Sequence, residues 1–312
     1  MQISRTFIAA IAIAAPCTWF LLAEETELPV FRVDVDMVTV NFTVTDTQER
    51  FIKGLKPDDI RVLEDGIPQK IVKFAEYSTQ PDRPLPETQP AESNIFILFD
   101  TSNCMYTNFS YAEDAIADFI RRLKPSESAA VYTFSGNLFR LVGLTSDRDQ
   151  AIQQMRRAVA GDHTALYNSL LLTLRDAAKV RGRRAVVVFS NGPDDASVLS
   201  PDDVRRVAED EGIPIYVVST NESDPVSNAV FRRITNGTGG KAYFAKTWQK
   251  QSAAFRSVGD NLANSYLITY YPEQNSNVGY RKITVDVASG AEKQLQVRAR
   301  SGYHPRTNRE RR

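Results

Sequence analysis

Short apolar runs alternate with segments of helical spacing through the central part of the chain. The clearest run, Ile95–Phe99, has five apolar residues without polar alternation, which is typical of a strand buried on both faces of a parallel sheet. The other predicted strands are Ala129–Phe134, Leu138–Val142, Arg184–Phe189, Pro214–Ser219 and Lys241–Phe244. The predicted helices are Ala112–Leu123, Asp147–Val159, Ala165–Val180, Pro201–Glu211, Val226–Thr235 and Trp248–Asn264. This alternation predicts an α/β domain, residues 94–263, with a doubly wound, mainly parallel sheet.

Local signals agree with these elements. Ser146 is expected to cap the second helix, and Ser200 precedes a proline at the first position of the fourth helix. Only Ser135-Gly-Asn137 separates the second and third strands. Because that connection is too short for a crossover, the pair is predicted to be antiparallel.

The segments on either side of this domain alternate polar and apolar residues with the period of a strand. Residues 31–78 are predicted to be β, with a hairpin turn at Asp65-Gly66. Residues 264–305 contain three more predicted strands: Ser265–Tyr271, Tyr280–Ala288 and Gln294–Ser301. About three strands at each end are too few to form a separate hydrophobic core. We therefore predict that the two sets of strands pair into one β-sandwich-like domain, with the α/β domain inserted between them. Separate small sheets packed on the ends of the α/β domain are the alternative.

Residues 79–93 contain prolines at positions 81, 84, 86 and 90 and are predicted to be a linker.

The N-terminal segment predicts that the protein is exported. Arg5 precedes a charge-free apolar stretch that ends at Ala23, the layout of a signal peptide over residues 1–23. An uncleaved anchor is the alternative, because the stretch is only slightly shorter than the ~20 residues that span a bilayer. A lipoprotein signal ending at Cys17 fits less well.

We therefore expect a secreted, periplasmic or cell-envelope protein that contacts a membrane only if the signal segment stays uncleaved. After cleavage the remaining cysteine, Cys104, can form no internal disulfide. Lys+Arg and Asp+Glu balance at 38 each, so no overall field favours nucleic acid. The basic tail, residues 306–312, and the cluster Arg181–Arg184 are both expected on solvated surfaces.

Three polar segments are candidates for a binding site. Asp100-Thr-Ser-Asn-Cys104 and Ser190-Asn-Gly-Pro-Asp-Asp195 each follow a predicted strand, and Gly161-Asp-His-Thr164 leads into a predicted helix. Open α/β sheets bind ligands at the carboxyl ends of their strands, so we expect the three segments to meet there. Their oxygen-bearing side chains are ligands that a hard cation such as Mg²⁺ prefers.

These segments resemble the three loops of the von Willebrand factor type A domain, which carries a metal-ion-dependent adhesion site. Asp100 and Ser102 match the first motif, Asp-x-Ser-x-Ser, and Thr164 matches the threonine of the second loop. Cys104 stands where the second serine belongs, and Asn191 stands where the third loop has an aspartate. The resemblance implies binding or adhesion rather than catalytic turnover.

Segments outside the three loops also resemble one group, the secreted von Willebrand factor A-related proteins typical of Acidobacteria. They include Val62-Leu-Glu-Asp-Gly-Ile-Pro-Gln-Lys70, Thr238-Gly-Gly-Lys-Ala-Tyr-Phe244, Ser265-Tyr-Leu-Ile-Thr-Tyr270 and Val297-Arg-Ala-Arg-Ser-Gly-Tyr303.

The two departures predict a degenerate metal site. A cysteine sulfur suits Mg²⁺ poorly, and an asparagine at position 191 leaves Asp100 as the one formal carboxylate. We expect Mg²⁺ or Mn²⁺ to bind weakly or not at all. Other carboxylates on the same loops could compensate: Asp162, Asp194 and Asp195.

We expect a non-enzymatic binding or adhesion module that recognises a protein partner at the top of the α/β domain, the edge formed by these loops. A metal-independent scaffold or assembly element of the envelope is the alternative. A hydrolase using Asp100 and His163 is a third class, disfavoured because no nucleophile–base–orienter set is visible. His163 itself is expected to be a polar loop residue.

Overall fold

The computed structural model describes residues 37–77, 93–103, 105, 109–288 and 294–306. The predicted signal peptide, the predicted linker up to residue 92, Cys104 and the tail beyond Arg306 lie outside these ranges. Within them, no helix has both the length and the apolar character needed to cross a membrane.

The described residues form fourteen strands and six α-helices. The strands are β1 (Val38–Thr45), β2 (Ile60–Glu64), β3 (Ile67–Gln69), β4 (Ile71–Tyr77), β5 (Ser93–Asp100), β6 (Glu127–Phe134), β7 (Leu138–Thr145), β8 (Arg183–Ser190), β9 (Ile215–Ser219), β10 (Ala242–Phe244), β11 (Ser265–Tyr270), β12 (Arg281–Val287), β13 (Gln296–Ala299) and β14 (Gly302–Tyr303). The helices are α1 (Phe109–Arg122), α2 (Arg148–Met155), α3 (Leu166–Ala178), α4 (Pro201–Glu211), α5 (Pro225–Thr238) and α6 (Trp248–Ala263).

The predicted α/β sheet is confirmed. Six strands lie in the order β10-β9-β8-β5-β6-β7, and every pairing is parallel except β6 with β7, which is antiparallel as predicted. Strand β5 is central and buried on both faces, because Ile95, Ile97 and Phe99 enter one hydrophobic core and Phe96 and Leu98 enter the other. The continuous apolar run therefore reflects helices on both sides of the sheet.

Several helix ends differ from the prediction, and three of them have a clear physical reason. The cap of α2 is Asp147, whose side chain accepts a hydrogen bond from the Gln150 amide, and not Ser146. Helix α2 ends at Met155, which is fully buried, whereas Val159 is 79% exposed and has no packing to hold a further turn. Helix α1 begins earlier than predicted, at Phe109, whose ring stacks on that of Phe99 at 5.2 Å.

The terminal strands pair with one another as predicted. They form two four-stranded sheets, β13-β1-β11-β4 and β14-β12-β2-β3, which share one hydrophobic core. The hairpin turn lies at Asp65-Gly66, where both residues have positive φ. Strands β3 and β4 are consecutive in sequence but lie in different sheets, and β14 was not predicted.

Two buried arginines join the β-sandwich to the α/β domain. Arg183 donates a hydrogen bond of 2.7 Å to Ser265 Oγ, and its guanidinium carbon lies 4.4 Å from the centre of the Tyr77 ring. Arg300 donates to the carbonyl oxygens of Thr39 and Glu209. The prediction of a solvated Arg181–Arg184 cluster is therefore wrong for Arg183, which is 7% exposed.

Candidate functional site

The three predicted loops meet at the carboxyl edge of the six-stranded sheet. Ser190, at the end of β8, donates a hydrogen bond of 2.6 Å from Oγ to Asp100 Oδ2, at the end of β5. The Gly161 amide donates to the Thr101 carbonyl at 2.9 Å, and Gly161 also forms a parallel bridge with Ser102. The loop after β5 is therefore fixed to both of the other loops.

Asp100 lies at the centre of this arrangement and is completely buried. Its Oδ1 accepts a hydrogen bond of 2.9 Å from the Ser102 amide. Burial raises the pKa of the Asp100 carboxyl, and hydrogen bonds from Ser190, Ser102 and the Asn191 amide oppose that rise. The groups that stabilise this carboxylate are hydrogen-bond donors rather than cationic side chains.

Ser102 and Thr164 are also buried at this edge, 1% and 3% exposed. The Ser102 hydroxyl lowers the pKa of the Asp100 carboxyl, but its Oγ makes no hydrogen bond of ordinary geometry with any described residue. Two glycines allow the loops to approach. A Cβ on Gly161 would lie 2.3 Å from Ser135 Oγ, and one on Gly192 would lie 2.8 Å from the Ser227 Cβ at the start of α5.

Two of the possible compensating carboxylates are engaged with backbone amides at the start of α3. Asp194 accepts hydrogen bonds from the Tyr167 and Ser197 amides at 3.0 and 2.8 Å. Asp195 accepts from the Thr164 amide at 2.7 Å, and this bond lowers the pKa of its carboxyl. Asp162 is exposed. Over the ranges that the structure covers, no three His, Cys, Asp or Glu side chains are grouped so as to hold a metal ion.

The site fits a hard cation in part. A buried carboxylate with a raised pKa and a buried hydroxyl with no well-directed partner are both groups that a bound cation would stabilise. Asp100, Ser102 and Thr164 are the residues that would hold the ion. Asn191 contributes an amide hydrogen bond to Asp100 but no negative charge. Cys104 lies outside the described residues.

His163 is placed apart from Asp100. Its imidazole is 70% exposed, and Nδ1 lies 3.3 Å from Asp195 Oδ2. No hydrogen bond joins His163 to Asp100 within the described part of the chain.

Two roles and two exposed residues at this edge were not predicted from the sequence. Ser190 holds Asp100 by a hydrogen bond. The sequence feature that could have indicated this role is a serine directly after an apolar strand. Asp194 acts as a helix cap, which its position in a polar loop did not reveal. Val198 and Val226 are 93% and 73% exposed beside the first turns of α3 and α5. Their exposure depends on how the loop after β8 and helix α5 pack on the domain, which periodicity alone does not give.

Comparison with known proteins agrees with this architecture. Residues 95–193 match the family model described as von Willebrand factor type A domain. The chain contains a von Willebrand factor type A domain. Such domains generally mediate protein–protein interactions.

A curated relative is a UPF0353 protein of Mycolicibacterium paratuberculosis, 21% identical over 201 residues, which are 54% of this chain and 60% of that protein. The chain therefore spans about three fifths of the length of that relative. Among solved structures, von Willebrand factor type A from Catenulispora acidiphila is 14% identical with a TM-score of 0.44, covering 67% of this chain and 66% of that one. The vWF domain of the type V pili tip protein Mfa5 from Porphyromonas gingivalis is 11% identical with a TM-score of 0.48, covering 55% and 95%.

Proposed function

We propose that the protein is a non-enzymatic, exported binding module of the cell envelope, whose type A domain binds a protein partner at the carboxyl edge of its six-stranded sheet. The observation that carries this proposal is the joining of three loops around buried Asp100: its carboxylate bonds to Ser190, and Thr101 and Ser102 pair with Gly161. A network that fixes three loops in one arrangement provides a preorganised surface, which reduces the entropy cost of binding.

The exposed residues of this edge suggest how a partner would dock. Val198 and Val226 offer apolar contacts, and the carboxylates of Asp162 and Asp195 lie on the same loops. Apolar contacts beside acidic groups favour a partner surface with an apolar centre and basic residues around it.

The metal site in this proposal is degenerate. A Mg²⁺ or Mn²⁺ ion held by Asp100, Ser102 and Thr164 would supply a Lewis acid for a partner's carboxylate. Both oxygens of Asp100 already accept hydrogen bonds from Ser102 and Ser190, and Asn191, which stands where an intact site has an aspartate, supplies no second carboxylate to balance the ion's charge. We therefore propose weak cation binding, with partner recognition that survives its loss. The same observations favour the second candidate, a metal-independent scaffold or assembly element of the envelope.

Calorimetry with Mg²⁺ and Mn²⁺ on the purified chain tests the metal claim, with Asp100→Ala as the variant and Asp286→Ala, on an exposed sandwich position, as the matched control. Weak or undetectable heats are expected. Tight binding that only Asp100→Ala removes would show that the site is intact rather than degenerate.

Capture of partners from the native envelope tests the docking edge. Val226→Asp should abolish capture, while Val278→Asp, a residue 82% exposed on the β-sandwich, should leave it unchanged. Capture should persist in chelator. Loss of capture in chelator would contradict metal-independent recognition, and equal capture by both variants would place the docking surface elsewhere. Substrate turnover abolished by His163→Ala would overturn the non-enzymatic assignment.

A further inference from the structure

A cavity lies between the β-sandwich and the α/β domain. It has a volume of about 320 Å³ and is lined by strands β1 and β13 on one side and by residues of α5, β10 and α6 on the other. Lys241 directly precedes β10, so the cavity lies near the amino ends of the parallel strands, away from the three loops. Small-molecule sites often occupy clefts of about 300–1,000 Å³ at domain interfaces.

The wall of this cavity depends on close packing at the end of α5. Gly239 caps the helix with a φ of +83°, and a Cβ at that position would lie 2.8 Å from the Arg300 backbone nitrogen. Glycine therefore lets the strand that contains Arg298 pack directly on the helix end. Arg298 donates hydrogen bonds of 3.3 Å to Asn236 Oδ1 and to the Gly240 carbonyl, which orient its side chain along the cavity.

Four charged side chains line the cavity; two of them form an ion pair with each other and two do not. Lys241 Nζ and Glu49 Oε1 are 2.6 Å apart, and this pairing, with a smaller contribution from Arg298, lowers the pKa of Glu49. The other cation, Arg298, and the other carboxylate, Asp260, form no ion pair with any described residue and are not paired with each other. The cavity therefore presents one cation and one anion that are both available to a ligand.

We propose that this cavity binds a small zwitterion, an amino acid or short peptide whose carboxylate contacts Arg298 and whose ammonium group contacts Asp260. A guanidinium presents several N–H groups in a planar fork that matches a carboxylate, and only one of its terminal nitrogens is used by protein acceptors here. A ligand that carries only a negative charge would leave Asp260 without an opposite charge, and a ligand that carries only a positive charge would leave Arg298 without one. A neutral polyol would use the hydroxyl and amide groups of the lining but neither charge.

Calorimetry on the full chain against glycine, lysine, glutamate, alanyl-alanine and glucose tests the proposal. At least one zwitterion is expected to bind, and Arg298→Gln and Asp260→Asn should each weaken that binding roughly ten- to hundredfold, the loss typical of a charged hydrogen bond. Arg256→Gln, an exposed α6 position outside the lining, is the matched control and should bind normally.

Hydrogen exchange of the unsubstituted chain gives a readout that does not depend on the folding of a variant. The bound zwitterion should slow amide exchange in residues 240–243 and 296–299, which line or adjoin the cavity. Binding of glucose alone, binding that both charge variants retain, or no binding at millimolar concentration would each overturn the proposal.

Discussion

Ser190 Oγ and Asp100 Oδ2 form a hydrogen bond of 2.6 Å between residues that are 90 positions apart in the sequence. Both side chains are completely buried, and the same serine oxygen also accepts a hydrogen bond from the Gly192 amide. This bond holds the loop after β8 against the loop after β5. It joins two of the three loops that form the proposed docking edge.

Ser190→Ala should lower the free energy of unfolding by about 1.5–3 kcal/mol, because the buried carboxylate and the Gly192 amide each lose a hydrogen bond. Urea unfolding measures the loss. Ser110→Ala, at an exposed position of α1, is the control and should change stability by less than about 0.5 kcal/mol. Equal stability of the two variants would show that the bond does not hold the loops.

Asp194→Ala should lower stability by about 1–2 kcal/mol in the presence of chelator, because the Tyr167 amide in the first turn of α3 and the Ser197 amide of the loop lose their acceptor. Asp162→Ala, on an exposed residue of a neighbouring loop, should have little effect. If Asp194→Ala instead leaves stability unchanged and weakens Mg²⁺ binding, Asp194 is a compensating ligand rather than a cap.

Arg300→Met should cost about 2–3 kcal/mol, because the buried guanidinium donates to carbonyl oxygens of both domains. The comparison is Arg306→Met, whose side chain is 61% exposed in its ion pair with Glu211 and should contribute less than about 1 kcal/mol. Denaturant titration followed by far-UV circular dichroism gives both values. Similar losses for the two variants would contradict the role of Arg300 in joining the domains.

Glu64 and Arg281 form a buried ion pair of 2.9 Å inside the β-sandwich, and Tyr270 and Tyr303 also donate to Glu64. Glu64→Leu alone should cost about 3–5 kcal/mol, because it leaves the arginine charge without its partner. The double variant with Arg281→Leu should lose less than the sum of the single variants. Additive losses in this double-mutant cycle would mean that the pair makes no coupled contribution.

Tyr132→Phe should reduce the dependence of stability on pH in alkaline solution. Burial, followed by the carboxylate of Asp176, raises the pKa of Tyr132 to about 12, against about 10 in an unfolded chain. Between pH 10 and 12 the unfolded chain ionises this tyrosine while the folded chain keeps its proton, so the natural protein loses stability as the pH rises.

Urea unfolding across this pH range measures the difference between the Phe variant and the natural chain. The variant should be about 1 kcal/mol less stable at neutral pH, because it lacks the hydrogen bond to Asp176. Above pH 10 the difference in the free energy of unfolding between the two chains should become smaller. Tyr111→Phe, 56% exposed, should show no such narrowing.

The positions of the first two loop residues could be predicted because they follow from strand burial. Once Ile95–Phe99 is assigned to a central parallel strand, Asp100 and Ser102 must lie at its carboxyl edge. The partners of Asp100 could not be predicted, because Ser190 belongs to a strand that only the sheet order places beside β5. The same reason explains Arg183, whose polar neighbours in sequence indicated solvent but whose partners belong to the β-sandwich.

The sequence by itself determined the alternation of elements, the antiparallel β6–β7 pair and the β character of the terminal segments. These features depend on period, turn length and local capping, which neighbouring residues encode. The tertiary structure alone decided the Ser190–Asp100 bond, the capping role of Asp194 and the cavity that contains Arg298 and Asp260. Each of these depends on which distant segments become neighbours, and that is set by the packing of the whole chain rather than by any local pattern.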